Sequence, residues 1–365
     1  MDRHRSLPEK SRPSAEAATA LLSRAYDSGL WRSTQVAIIG TFLIATCAFL
    51  YFTSAILVPV VSAIIIGTVL GPLEKRLSDY RVPAWLFATV VVIVMFVMLQ
   101  VSAILLSRSI IGWVKHAAEF SEILRNKLQI FERGLAAVHE LQKALGSKPS
   151  NMKLDVMPVF QGAAAFLTPT LAELLIFFAT LFFYLLGREG LRRQLVMLFE
   201  VRANRLRALK IINDVEGNLA RYFATVTIIN AAVGLITFIS TWILGLANPA
   251  LFGMLAFACN YIPYIGPAFV VVALFAAGIV SLPTLAQALW APLFYVTLTT
   301  IEGNLLTPRI VGGRLTLNPF AILLGLTFWG WIWGPIGAFL SVPFLIIVLA
   351  IREHVSPDED PDLPA

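Results

Sequence analysis

From Gln35 to Ser54 the chain runs without one charged side chain, and runs of this kind recur along its length. Coiled as a helix, about twenty residues span roughly 30 Å, the thickness of a bilayer's hydrocarbon core. Lipid offers backbone groups no hydrogen-bond partner, so such runs must satisfy their own N–H and C=O groups as helices. With 58% hydrophobic and 14% charged residues, the chain is far from a soluble domain, which carries about 25% charged. A polytopic all-α membrane protein is expected.

Spans are expected at residues 35–54, at 55–72 with Pro59 marking a bend near its start, at 84–107, at 169–186 (with Glu173 near its end) and at 222–246. Another is expected at 284–306. The domain plan is a polar tail (1–34), three spans (35–107), an amphipathic extramembrane segment (108–168) and a fourth span (169–186). A basic cytoplasmic loop (187–218), a transport half (219–351) and an acidic tail (352–365) follow. The net charge of +6 clusters beside apolar segments, which points to lipid headgroups and topology rather than nucleic acid. The tail, the turn with Lys75, Arg76 and Arg81, and the basic 187–221 stretch all favour the cytoplasm. Both termini are therefore expected there. Residues 108–153 are also basic although this scheme places them outside; long loops obey the charge rule poorly.

Two stretches about 70 residues apart look like one unit written twice. Each opens with Asn-Pro (Asn248-Pro249, Asn318-Pro319), continues apolar, breaks, and resumes apolar. The breaks are NYIPYIGP at 260–267 and GWIWGPIG at 330–337. Twin interrupted segments in matching positions mark the binding site of a secondary transporter. If each turns back as a re-entrant hairpin, Arg309, Arg314 and Arg352 all face the cytoplasm. A span plus a hairpin makes two inverted repeats, 219–280 and 289–351. About six full spans plus two hairpins result.

The 108–168 segment repeats apolar residues every seven positions: Ile110, Ala117, Leu124, Phe131, Val138, Leu145. This is a long amphipathic helix, lying on the membrane or its own subunit, or else joining copies into a homo-oligomer. Cys47 and Cys259, both in apolar runs, exclude a disulfide framework. Histidines 4, 116, 139 and 354 lie outside the expected spans, and no H-E-x-x-H, G-x-S-x-G or P-loop pattern occurs. An enzyme, a metal site and a bound cofactor are not expected.

The NYIPYIGP break and the passage EGNLLTPRIVGGRLTLNPFAILLGLTFWGWIWGPIGAFLSVP at 302–343 resemble the autoinducer-2 exporter family of bacterial inner-membrane transporters. The order of elements agrees over roughly residues 35–352. The resemblance implies a polytopic, homo-oligomeric carrier. Members are associated with export of the quorum-sensing signal autoinducer-2, and some relatives with sodium/proton antiport.

A break at membrane depth must be buried or line a wet cavity. About twelve residues precede each break, about 18 Å of helix, so the two tips are expected to meet. Asn260, Tyr261 and Tyr264 on one tip, with Trp331 and Trp333 on the other, combine polar donors with flat apolar walls suited to a small hydroxylated solute. The alternative is that these aromatics only pack. Asn304 joins the binding candidates. Pro263, Gly266, Pro267, Pro308, Gly312, Gly313, Gly334 and Pro335 are break or hinge candidates, or simply turn formers. Glu302 is the acidic candidate for proton or cation coupling, because an ionisable group in a span costs about 2.5–3.5 kcal/mol. Snorkelling to the interface, pairing with Arg309 or pairing with another helix are its structural alternatives. Asn230, mid-span, can coordinate an ion or bond across helices. The expected function is alternating-access export of a small hydrophilic solute. A Na⁺/H⁺ antiporter and a non-transporting membrane scaffold are the rivals.

Overall fold

The computed structural model describes residues 15–115, 171–306 and 318–355, and among these all regular structure is helical. Helix α1 (Ala15–Phe52) already begins inside the stretch expected as a tail. It forms a unit of its own with residues up to Ser54.

The second unit begins with α2 (Ser54–Val69) and α3 (Gly71–Asp79), which meet at an angle of 46°. The bend is at Leu70, not at Pro59. Pro59 falls early in α2, where its missing N–H forfeits a single bond to the first turn, whereas Gly71-Pro72 start a new helix. Helix α4 (Ala84–Lys115) follows, and most of the expected amphipathic segment lies outside the described residues. Helices α5 (Leu171–Met197) and α6 (Arg202–Ile243) occupy most of the stretch expected as a basic loop. Residues 187–221 contain no proline and are rich in Leu, Arg and Ala, strong helix formers, so both helices continue past the apolar runs. A tight turn at 198–201 joins them. Asn204, Asn213 and Asn218, with Asp214 and Glu216, lie on the polar half of α6, which is helical throughout rather than a loop.

Helix α6 closes with Gly245 left-handed (φ 73°). The Leu246 N–H donates to the Thr241 carbonyl and Gly245 N–H to Trp242, which satisfies carbonyls the helix leaves open. Helices α7 (Pro249–Cys259) and α8 (Ile265–Ser281) then double back. The Ala247 N–H, before α7, lies 3.4 Å from Ser281 Oγ at the end of α8. At the tip, Tyr264 (φ 63°, ψ −52°) is the centre of a γ-turn, with Ile265 N–H donating to Pro263 at 2.7 Å. Gly266 packs so closely that a Cβ there would collide with the Cys259 carbonyl oxygen.

The span expected at 284–306 is not one helix. It is a turn, α9 (Leu285–Ala288) with a Thr284–Gln287 capping box, then α10 (Trp290–Ile301), then a π-helical turn over Glu302–Leu306. Pro292 has no N–H to give the Ala288 carbonyl, which weakens the ladder at the joint between α9 and α10.

Helix α11 (Pro319–Val355) begins at Asn318, whose side chain accepts from Phe320 N–H at 2.9 Å. It too doubles back. Gly334 (φ 62°, ψ −151°) adopts a conformation essentially restricted to glycine. Across it, the Trp329 and Phe344 rings stack at 4.2 Å, and a Cβ on Gly325 would lie 3.6 Å from Ser341 Cβ. A straight helix would hold residues 325 and 341 about 24 Å apart.

Helices α1, α4, α5 and α6 are long and apolar enough to cross a membrane; α11 is so by total length and composition but folds back at Gly334, and the bent α2–α3 pair is a further candidate. Two cores organise the second unit. One joins α2, α4 and α5 around Ala63, Phe87, Leu181 and Leu185. The other joins α6, α7, α8 and α10 around Val233, Phe252, Leu274 and Tyr295. Helices α6 and α7 come closest where Gly234 faces Gly253. A Cβ on either would lie under 3 Å from the other's carbonyl oxygen, the close approach that small residues permit.

Candidate functional site

Phe223, Thr227 and Asn230 follow one another at i, i+4 and i+7, so they line one face of α6. The tip between α7 and α8 lands on that face. Asn260 Nδ2 donates to Asn230 Oδ1 at 2.8 Å. Beside it, the Tyr261 and Thr227 hydroxyls are 2.7 Å apart. The second doubled-back pair arrives through Phe339, five residues past Gly334. Its ring lies 6.1 Å from that of Tyr261 and 5.8 Å from that of Phe223. The site is thus a junction of α6, the α7–α8 tip and the returning arm of α11.

Tyr295 and Glu302 are seven residues apart on α10 and its π-helical extension, hence on one side. The Glu302 carboxylate is within electrostatic reach of both Tyr222 and Tyr295. Glu302 is half-buried. A π-helical turn widens the backbone locally and recurs at functional sites.

Buried polar groups are normally paired, so the exceptions carry information. Thr237 and Thr241, buried on α6, donate to their own helix's carbonyls at 2.7 Å. Asn230 and Tyr295, each 1% exposed, are different: Asn230 Nδ2 and Tyr295 Oη are buried without a partner among the described residues. Turning over both amides keeps the Asn230–Asn260 bond and makes the orphan an acceptor instead of a donor. The junction can therefore meet a hydroxyl, which both donates and accepts, from either side.

The sequence candidates fall in different places. Asn230, Asn260 and Tyr261 come together. Tyr264 is half-exposed on the strained turn. Trp333 is packed inside the α11 hairpin against Trp329 and Phe344, while Trp331 is 71% exposed. Asn304 Nδ2 donates to the Thr300 carbonyl one turn back at 2.9 Å. Pro263, Gly266, Pro267, Gly334 and Pro335 sit at the two reversals. Pro308, Gly312 and Gly313 lie outside the described residues. Thr227, Tyr222, Tyr295, Phe339 and Gly337 were not singled out from the sequence. Thr227 could have been, three residues before Asn230 on the same helix face. Gly337 could also have been, since a Cβ there would collide with the Trp329 carbonyl oxygen, as Gly266 does with Cys259.

The family described as AI-2E family transporter matches residues 41–356, and the chain belongs to it. The AI-2 transport protein TqsA of Escherichia coli K12 is 27% identical over 343 residues, covering 88% of this chain and 92% of TqsA. A putative transport protein of Borreliella burgdorferi is 24% identical over 322 residues, covering 87% and 84% of the two chains. The putative transport protein YhhT of Escherichia coli K12 is 26% identical over 325 residues, covering 82% and 85%.

Proposed function

We propose that this AI-2E family member is a secondary transporter that exports a small hydroxylated solute, AI-2 being the leading cargo. The observation that carries the reading is the junction itself. Two doubled-back helix pairs converge on α6 at a cluster of amides and hydroxyls, in which Asn230 Nδ2 is buried without a partner among the described residues. In this reading both pairs are re-entrant hairpins entering an inner membrane from opposite faces, within inverted repeats, and both termini are cytoplasmic. Separating the α7–α8 tip from α6 would break the Asn260–Asn230 and Tyr261–Thr227 hydrogen bonds at the junction. Cargo hydroxyls replace them, which keeps the site's polar groups satisfied while it is open to one side. The oligomer belongs to the same proposal and is measured by the mass of the purified complex.

A second reading, Na⁺/H⁺ antiport, is favoured by a half-buried Glu302 in a π-helical turn. One pair of measurements separates the two. Loss of AI-2 efflux from cells on Asn260→Ala, with assembly intact, supports the exporter. Sodium-driven proton movement in proteoliposomes that disappears on Glu302→Gln supports the antiporter. If neither substitution changes any flux while the protein still assembles, a non-transporting scaffold replaces both.

A further inference from the structure

The bend between α2 and α3 opens a groove of about 460 Å³ against α4. One wall is the stripe Ile66, Leu70, Leu73 and Leu77, and the other is the α4 face from Leu86 to Met95. The whole lining is apolar. From Leu86 to Met95 it follows α4 for about 14 Å, close to the depth of one leaflet, half of a core roughly 30 Å thick.

The charges at the closed end are sorted. Glu74 of α3 turns inward to Arg188 on α5, at 3.0 Å. Lys75, Arg76 and Arg81 stay exposed without an ion pair among the described residues, and Asp79 is the exposed acid beside them. Arg81 stands in the turn between α3 and α4 in the left-handed conformation (φ 62°), where glycine would sit without strain. An amphipathic helix with its leucines in an apolar cleft and its cations free is at home at the headgroup level.

We propose that this groove binds an anionic phospholipid, with one acyl chain between α3 and α4, the phosphate held by Arg76 and Arg81, and Lys75, on the far face of α3, adding its charge to the headgroup layer. Glu74 ties the site to the rest of the molecule, because its partner Arg188 also holds Glu216 of α6 at 2.7 Å. A bound lipid would brace α3 against the helix that carries the Asn230 face.

The test is lipid binding to the purified full-length protein by native mass spectrometry, with dioleoylphosphatidylglycerol against dioleoylphosphatidylcholine. The anionic lipid is expected to be retained more strongly, and the preference to shrink as salt rises. Lys75→Gln, Arg76→Gln and Arg81→Asn together should weaken it by about fivefold per cation removed. The charge-conserving pair Lys75→Arg and Arg76→Lys should retain it, which separates lost charge from misfolding. Val90→Trp, filling the groove, should displace it. Equal retention of the two lipids, or full retention by the triple variant, overturns the proposal. A changed subunit number on Val90→Trp with lipid retention unaltered also overturns it, and assigns the groove to a second copy of the chain. The readout is binding rather than flux, so its failure leaves the transport reading standing.

Discussion

The Tyr295 hydroxyl is the sharpest single probe of the core that joins α6, α7, α8 and α10, because it is buried and has no hydrogen-bond partner among the described residues. Removing an unpaired buried hydroxyl recovers its desolvation cost, about 1–3 kcal/mol at most. Tyr295→Phe is therefore expected to melt at the same temperature or higher. If that hydroxyl meets cargo during the cycle, efflux falls in the same variant. A variant that loses stability instead would show that the hydroxyl has a structural partner. The glycines at the two reversals make a second comparison at this scale. Gly266→Ala and Gly337→Ala drive a methyl into a carbonyl oxygen on the other arm, so each should cost about 3 kcal/mol or more. Gly190→Ala, on α5 with open space around it, should instead stabilise by about 0.5–1 kcal/mol. Melting of the three purified variants against the parent checks the order.

Among the elements, α5 and α6 are joined by charge as well as by packing. Arg188 is nearly buried and grips both Glu74 and Glu216, with Arg192 3.7 Å from Glu216. Its guanidinium lies so close over Gly71 that a side chain there would strike it. Removing one member of such a group leaves the others buried and uncompensated, a loss of about 3–5 kcal/mol. Arg188→Leu should therefore destabilise strongly. Adding Glu74→Gln and Glu216→Gln should restore much of the loss, because the charges then disappear together. Thermal unfolding in detergent decides it, and equal melting of the single and triple variants would contradict the account. At the far end of α11, His354 Nε2 meets Asp214 of α6 at 3.1 Å, a polar tie between α11 and α6.

For the whole molecule, the decisive matter is where the doubled-back pairs begin and end. Ala247 and Ser281 are within hydrogen-bonding distance, so single cysteines at Asn248 and Ser281 should react with an impermeant thiol reagent from the same side of the membrane. The chain has only Cys47 and Cys259 to remove first. Labelling of the two positions from opposite sides would make α7–α8 a crossing rather than a hairpin.

Apolar run length alone set the class of fold and the first five apolar segments, because a bilayer demands helices of one length. The Asn-Pro starts and the Pro- and Gly-rich breaks likewise located both reversals, since backbone rules act through neighbours in the chain. Helix continuation beyond the lipid-length runs, at α5 and α6, was missed because basic residues form helices as readily as apolar ones. The division of 284–306 into α9, α10 and a π-helical turn was missed as well, since composition does not show where a ladder is interrupted. Which aromatics pack and which face the junction was decided only by the tertiary structure. Trp331 and Tyr261 each stand 13 residues after the Asn of their Asn-Pro start, yet one is 71% exposed and the other bonds to Thr227. That difference arises from α6, which one reversal touches by its tip and the other by its returning arm, and a contact between distant segments leaves no trace in local spacing.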